Sequence, residues 1–129
     1  MTPDILLAEH IREQIKLLGF NWLQVVAMHD QAELILPRAL VVTSCNDDAT
    51  LAQAAIFPCS VSVEVIAEAR QDADIRAVSH EIELMMRCLQ SNRLVAVLGV
   101  NLGAIETTFS DDRISRKMAF VIFARLLSI

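Results

Sequence analysis

Between Ser60 and Leu89 the apolar residues change their period, and that change limits what the chain can become. Val61, Val63, Val65 and Ala67 fall on one side of an extended backbone, with Ser60, Ser62, Glu64 and Glu68 on the other. This alternation of two is the signature of a half-buried β-strand, and the β-branched valines reinforce it. From Ile75 the step becomes three and four, through Val78, Ile82, Met85, Met86 and Leu89, the stripe of an amphipathic helix. Asp72 is placed to cap that helix, Asp74 lies in its first turn, and Glu83 and Arg87 form an i,i+4 pair. A strand followed at once by a helix sets the layers of an α+β domain.

The flanking segments fit the same plan. Thr2 and Pro3 can open a first helix whose core-facing stripe is Ile5, Ala8, Ile11, Ile15 and Leu18, with Gly19 as its left-handed exit. Phe20 to Met28 reads equally as strand or packed coil. Pro37 interrupts the chain, and Ala39 to Thr43 reads as a buried strand. Cys45 to Phe57 is a long excursion, with turn residues at Asn46-Asp47-Asp48 and an apolar piece from Leu51 to Phe57. Long connections of this kind are often functional, and this one is expected to order on assembly. Leu94 to Leu98 reads as a short strand or packed coil. Ala104 to Phe109 reads as a strand, Ser110-Asp111-Asp112 as a turn, and Ile114 to Leu126 as a last strand bulged near Ser115. The expected fold is one α+β domain over residues 1–129, a mixed, largely antiparallel sheet flanked by two main helices in the order α-β-β-α-β-β.

The last strand makes a further demand. Met118, Phe120, Ile122 and Ala124 share one face, while Ala119, Val121 and Phe123 share the other. A strand apolar on both sides needs two covers, a helix on each face or another subunit on one.

Few residues suggest chemistry. His80-Glu81 begins a zinc-protease pattern, but position 84 is Leu84, so no HExxH exists, and His10 and His29 lack partners at metal-ligand spacing. Cys45 stands beside Asp47 and Asp48, which oppose a thiolate, and Cys59 and Cys88 read as small apolar residues. With three cysteines in all, and no CxxC, free thiols in a reducing compartment are expected. Asp47-Asp48 and Asp111-Asp112 lack the rest of a calcium loop, and Gly19, Gly99 and Gly103 stand too far apart for a phosphate cradle. No catalytic residue, metal or cofactor is expected. A net charge of −5, with only Arg113, Arg116 and Lys117 as a modest basic group, disfavours nucleic acid. Although 54% of residues are apolar, the longest apolar runs are about seven, against roughly twenty for a membrane-spanning helix. The start, Met1-Thr2-Pro3-Asp4, lacks the basic character of a signal peptide.

The succession of segments resembles one family. An N-terminal helix leads to the proline-started strand Pro37-Arg38-Ala39-Leu40-Val41-Val42 and a long loop. Then come the alternating strand SVSVEVIAEA, the helix DADIRAVSHEIELMMRCL, and the closing pair AIETTF and RKMAFVIFARL. In pattern and length, from about Ile5 to Leu126, this resembles the tail terminator (tail completion, or neck) proteins of long-tailed bacteriophages and prophages. The alanine-rich Ala49 to Ala55 is less polar than that family's loop. The resemblance implies a mixed sheet flanked by helices and a ring-shaped homo-oligomer, a hexamer. The ring would cap the tail tube protein, stop its polymerisation and join the head–tail connector protein. It also implies a place in the virion tail after assembly in the bacterial host cytoplasm, and no enzymatic activity. Val121, Phe123, Leu51, Ile56 and Phe57 are the residues expected at the subunit interface. The competing expectation is a non-catalytic, ferredoxin-like ligand-binding or regulatory domain that dimerises through its sheet. A small hydrolase would lack both nucleophile and base.

Overall fold

The computed structural model describes residues 3–27, 36–45 and 56–127. Helix α1 spans Pro3–Leu17, and strands β1 (Gln24–Ala27), β2 (Arg38–Cys45) and β3 (Ile56–Glu68) follow. A short 3-10 turn, Ala69–Gln71, leads into helix α2 (Asp72–Arg87), and strands β4 (Val95–Ser110) and β5 (Arg113–Leu126) close the chain. The strands form one sheet in the order β1-β2-β3-β5-β4, antiparallel except for the β1–β2 pair. The α+β class and the largely antiparallel mixed sheet are therefore as the sequence predicts. The undecided stretch after Gly19 supplies a fifth strand: Gln24–Ala27 pairs parallel with Arg38–Val41.

Both helices lie on the same face of the sheet. α1 packs chiefly on β2, α2 on β3 and β5, and the helices touch each other. The core between the layers takes Val61, Val63, Val65 and Ala67 from β3, and Met118, Phe120, Ile122 and Ala124 from β5. All eight are at most 2% exposed, as the alternation predicts. Each large apolar side chain buried this way contributes about 1.5–3 kcal/mol relative to exposure. From α2 come Ile75, Val78, Ile82 and Met86, all buried, with Met85 at the rim. From α1 come Leu7, Ala8, Ile11 and Ile15. Ile5, expected in this stripe, is 47% exposed instead. Steps of one, three and four from Leu7 hold a tighter stripe, which leaves Ile5 facing outward.

Several local expectations are corrected. Asp72 does not cap α2, because the 3-10 turn precedes it and makes Asp72 the helix's first residue. Its carboxylate instead accepts from Arg76 Nε at 2.8 Å, while the Glu68 N–H donates to Gln71 Oε1 at 3.3 Å across the entering turn. The expected Glu83–Arg87 pair does form, at 3.7 Å. Val95–Leu98, all but the first residue of the Leu94–Leu98 stretch, and Ala104–Phe109 are not separate elements but belong to the single strand β4. Register shifts between Val97 and Gly99 and between Leu102 and Ala104 let it continue through both glycines. A bulge adds one residue without ending the ladder, and glycine tolerates it. The bulges thus lie on β4, whereas β5 pairs without interruption with β3 from Arg113 to Arg125, through Ser115. β3 also starts earlier than its alternating core, at Ile56.

Two turns use the left-handed backbone. Gly19 has φ of +86° after α1, and Asp111 has φ of +54° in the two-residue turn between β4 and β5. Asp is among the few residues that tolerate this region, and Asp112 O accepts from the Ala69 N–H at 2.7 Å, tying the turn to the entry of α2. A Cβ at Gly19 would meet no atom within 4 Å, so Gly19→Ala isolates the backbone strain. We expect it to destabilise the chain by about 1 kcal/mol. In urea titration the midpoint should fall with an unchanged slope.

Cys45 and Cys59 are not free thiols: they are register partners on β2 and β3 and are joined by a disulfide. Cys88, expected to pack as a small apolar residue, is an exposed free thiol at the end of α2.

Candidate assembly surface

The sheet face turned away from the helices is built by the even-numbered residues of β2 and β3 and the odd-numbered residues of β5. The register arranges them in rows across the strands. One row runs Ser44, Ser60, Val121, Asn101, and the next runs Val42, Ser62, Ala119, Ala104. Beyond them Leu40, Glu64, Lys117 and Glu106 form a charged row in which one ammonium stands between two carboxylates. Ser115 Oγ donates to Glu64 Oε2 at 2.6 Å, fixing that carboxylate along the face. At the other end Pro58, Phe123 and Gly99 make an apolar row.

Side-chain size shapes this surface. Small residues in the middle rows leave an open groove of about 380 Å³ between the apolar and charged ends. Val42, Ser44, Ser60, Ser62, Lys117 and Val121 are among the residues that line it.

The residues expected at an interface divide among three places. Val121 and Phe123 are 40% and 38% exposed on the helix-free face. Ile56 lies on the same face, opposite Arg125, and is partly buried. Phe57 takes the other parity, is partly buried and packs against the core, off the helix-free face. Leu51 lies outside the described residues, as does most of the 45–57 segment expected to order on assembly.

Sequence reading missed the exposed apolar residues of β4. Leu98 projects at the first bulge, and along the edge strand Leu102, Ile105 and Phe109 become progressively more exposed, Phe109 reaching 61%. The alternation of Ile105, Thr107 and Phe109 was visible. What it could not reveal is that β4 stands at the sheet edge.

The remaining polar candidates are structural or scattered. His10 is buried and donates Nε2–H to Gln90 O at 2.6 Å. His80 is exposed on α2, while His29 and Asp47-Asp48 lie outside the described residues. Among the described residues no three His, Cys, Asp or Glu side chains gather as a metal site. The basic group is split by strand alternation. Arg116 turns to the helix side, donating to Ser79 Oγ and Thr107 Oγ1 at 2.9 Å each, whereas Lys117 stands on the open face. Among the described residues no helix is long and apolar enough to cross a membrane.

Neither a protein-family model nor a curated protein matches this sequence.

Proposed function

We propose that this chain is a structural, non-catalytic protein of a long-tailed phage or prophage that closes into a ring, caps the tail tube and presents the surface joining the head connector. The observation that carries this reading is the pairing of two covered and uncovered halves in one strand. Met118, Phe120, Ile122 and Ala124 meet both helices' layer, while Val121 and Phe123 stand in the open. Such a face suits contact with a neighbouring copy, since apolar side chains there gain burial only through assembly. The order of elements, resembling the tail terminators, supplies the class of assembly, and with it the hexamer, the tube and connector partners and the virion location.

The test is to add the purified chain to polymerising tube protein from the same genome. Equimolar additions should shorten the tubes in proportion to dose and leave a ring on one tube end in electron micrographs. Tubes that elongate without regard to the added chain would overturn the reading.

A second reading has one observation behind it. The groove, with the hydroxyls of Ser44, Ser60 and Ser62 and the Lys117 ammonium around an apolar floor, fits a small ligand-binding or regulatory domain that dimerises through its sheet. Sedimentation separates the readings, since this one gives a dimer and no ring in the presence of tube protein.

A further inference from the structure

We infer that Cys45 and Cys59 form a reversible dithiol–disulfide pair, open in a glutathione-reduced compartment and closed outside one. This does not rest on the assembly reading. The two cysteines face each other on the outermost rung of the β2–β3 ladder, 14 residues apart in sequence. Closing that rung needs no new pairing, because Ser44↔Ser60 and Thr43↔Val61 hold the strands together next to it. The two sulfurs are unequal. Cys59 is fully buried in the core, whereas Cys45, the last residue of β2, is only partly covered. Access decides which sulfur a small thiol attacks.

The reduction follows from that inequality. A glutathione thiolate attacks Cys45 Sγ. The Cys45–Cys59 bond breaks, its electron pair goes to Cys59 Sγ, and water protonates the leaving thiolate. The released thiol already has an acceptor, since Phe57 O lies 3.6 Å from Cys59 Sγ, and a buried thiol packs as a small hydrophobe. A second glutathione thiolate then attacks the glutathione sulfur of the mixed disulfide and displaces Cys45 as a thiolate, which water protonates. One protein disulfide is thereby reduced and two glutathiones are oxidised to one disulfide. Run in reverse, with oxidised glutathione as the oxidant, the same steps close the bond.

The whole chain is equilibrated in glutathione mixtures from fully reduced to fully oxidised, quenched with acid, alkylated, and mapped by peptide mass. The pair should pass from two alkylated thiols to a linked peptide lighter by two hydrogens, while Cys88 is alkylated at the reduced end. The thermal midpoint should be about 10 °C higher in the closed form, the size expected for cross-linking a loop of this length in a domain of this size. The double variant Cys45→Ser/Cys59→Ser should melt with the reduced form and ignore the glutathione ratio. In single variants, Cys59→Ser should leave Cys45 open to glutathionylation, whereas Cys45→Ser should leave Cys59 unmodified in the folded chain. A link that survives excess reduced glutathione under native conditions would make the bond a permanent staple and overturn the inference. Two thiols persisting in oxidised glutathione would overturn it equally. If the double variant does not fold, the wild-type titration alone decides.

Discussion

Phe120→Asp should abolish cooperative unfolding, whereas Val121→Asp, the next residue on the same strand, should leave the melt within about 1–2 kcal/mol of wild type. Phe120 is 2% exposed, opposite Val61 on β3 and Leu102 on β4. Truncating a buried Phe costs about 3–5 kcal/mol before any charge is introduced. An unpaired carboxylate there adds several more, and together these rival the whole stability of a domain this size. Val121 points to the helix-free face and loses mainly strand preference when replaced. Urea titration followed by circular dichroism reads both variants. A Phe120→Asp chain that melts cooperatively near the wild-type midpoint would mean that the helices do not seal this side of the sheet.

The second large effect concerns assembly. Phe123→Asp, and Val121→Asp with it, should leave a folded protomer that no longer forms rings or caps tubes. Phe123 lies against Gly99, where an added Cβ would come 4.0 Å from its Cδ2, and its ring caps the apolar end of the open face. Burial of such side chains against a neighbour contributes about 1.5–3 kcal/mol each, so a carboxylate at either position removes that gain and adds like-charge repulsion between copies. Light scattering, with dichroism as the control for folding, is the measurement. Rings persisting in both variants would move the interface to another surface, and the exposed β4 residues Ile105 and Phe109 would be the next place to look.

What the sequence revealed, and what it concealed, follow from how far each signal reaches along the chain. The parity of β3 and β5 was legible because Val61, Val63 and Val65, or Met118, Phe120 and Ile122, need only their own neighbours to declare a face. The Cys45–Cys59 link was not, since it depends on the β2–β3 register, which strands on either side of an intervening segment fix together. The continuity of β4 was hidden because Gly99 and Gly103 look like breaks until β5 is laid beside them. β1 has only four residues, too few for a period to emerge, and its place comes from parallel pairing with β2. The candidate surface was legible in Val121 and Phe123, by the surplus of apolar residues on β5. The place of Phe57 was not legible, because only the strand start at Ile56 shows that its ring packs on the helix side.

The uneven placement of the bulges has an evolutionary corollary. Adding or losing one codon within Ile56–Glu68 would exchange Val61, Val63 and Val65 for Ser60, Ser62 and Glu64 beneath the helices, because a strand's faces alternate without slack. β5, paired with β3 without a break from Arg113 to Arg125, is bound by the same arithmetic. β4 already accommodates two surplus residues and has a neighbour on only one side. Losing Gly103 would simply set Leu102 and Ala104 against Phe120 and Ala119 in an unbroken ladder. Insertions and deletions tolerated during divergence should therefore collect in β4, while the interior strands keep a constant length even as their side chains drift.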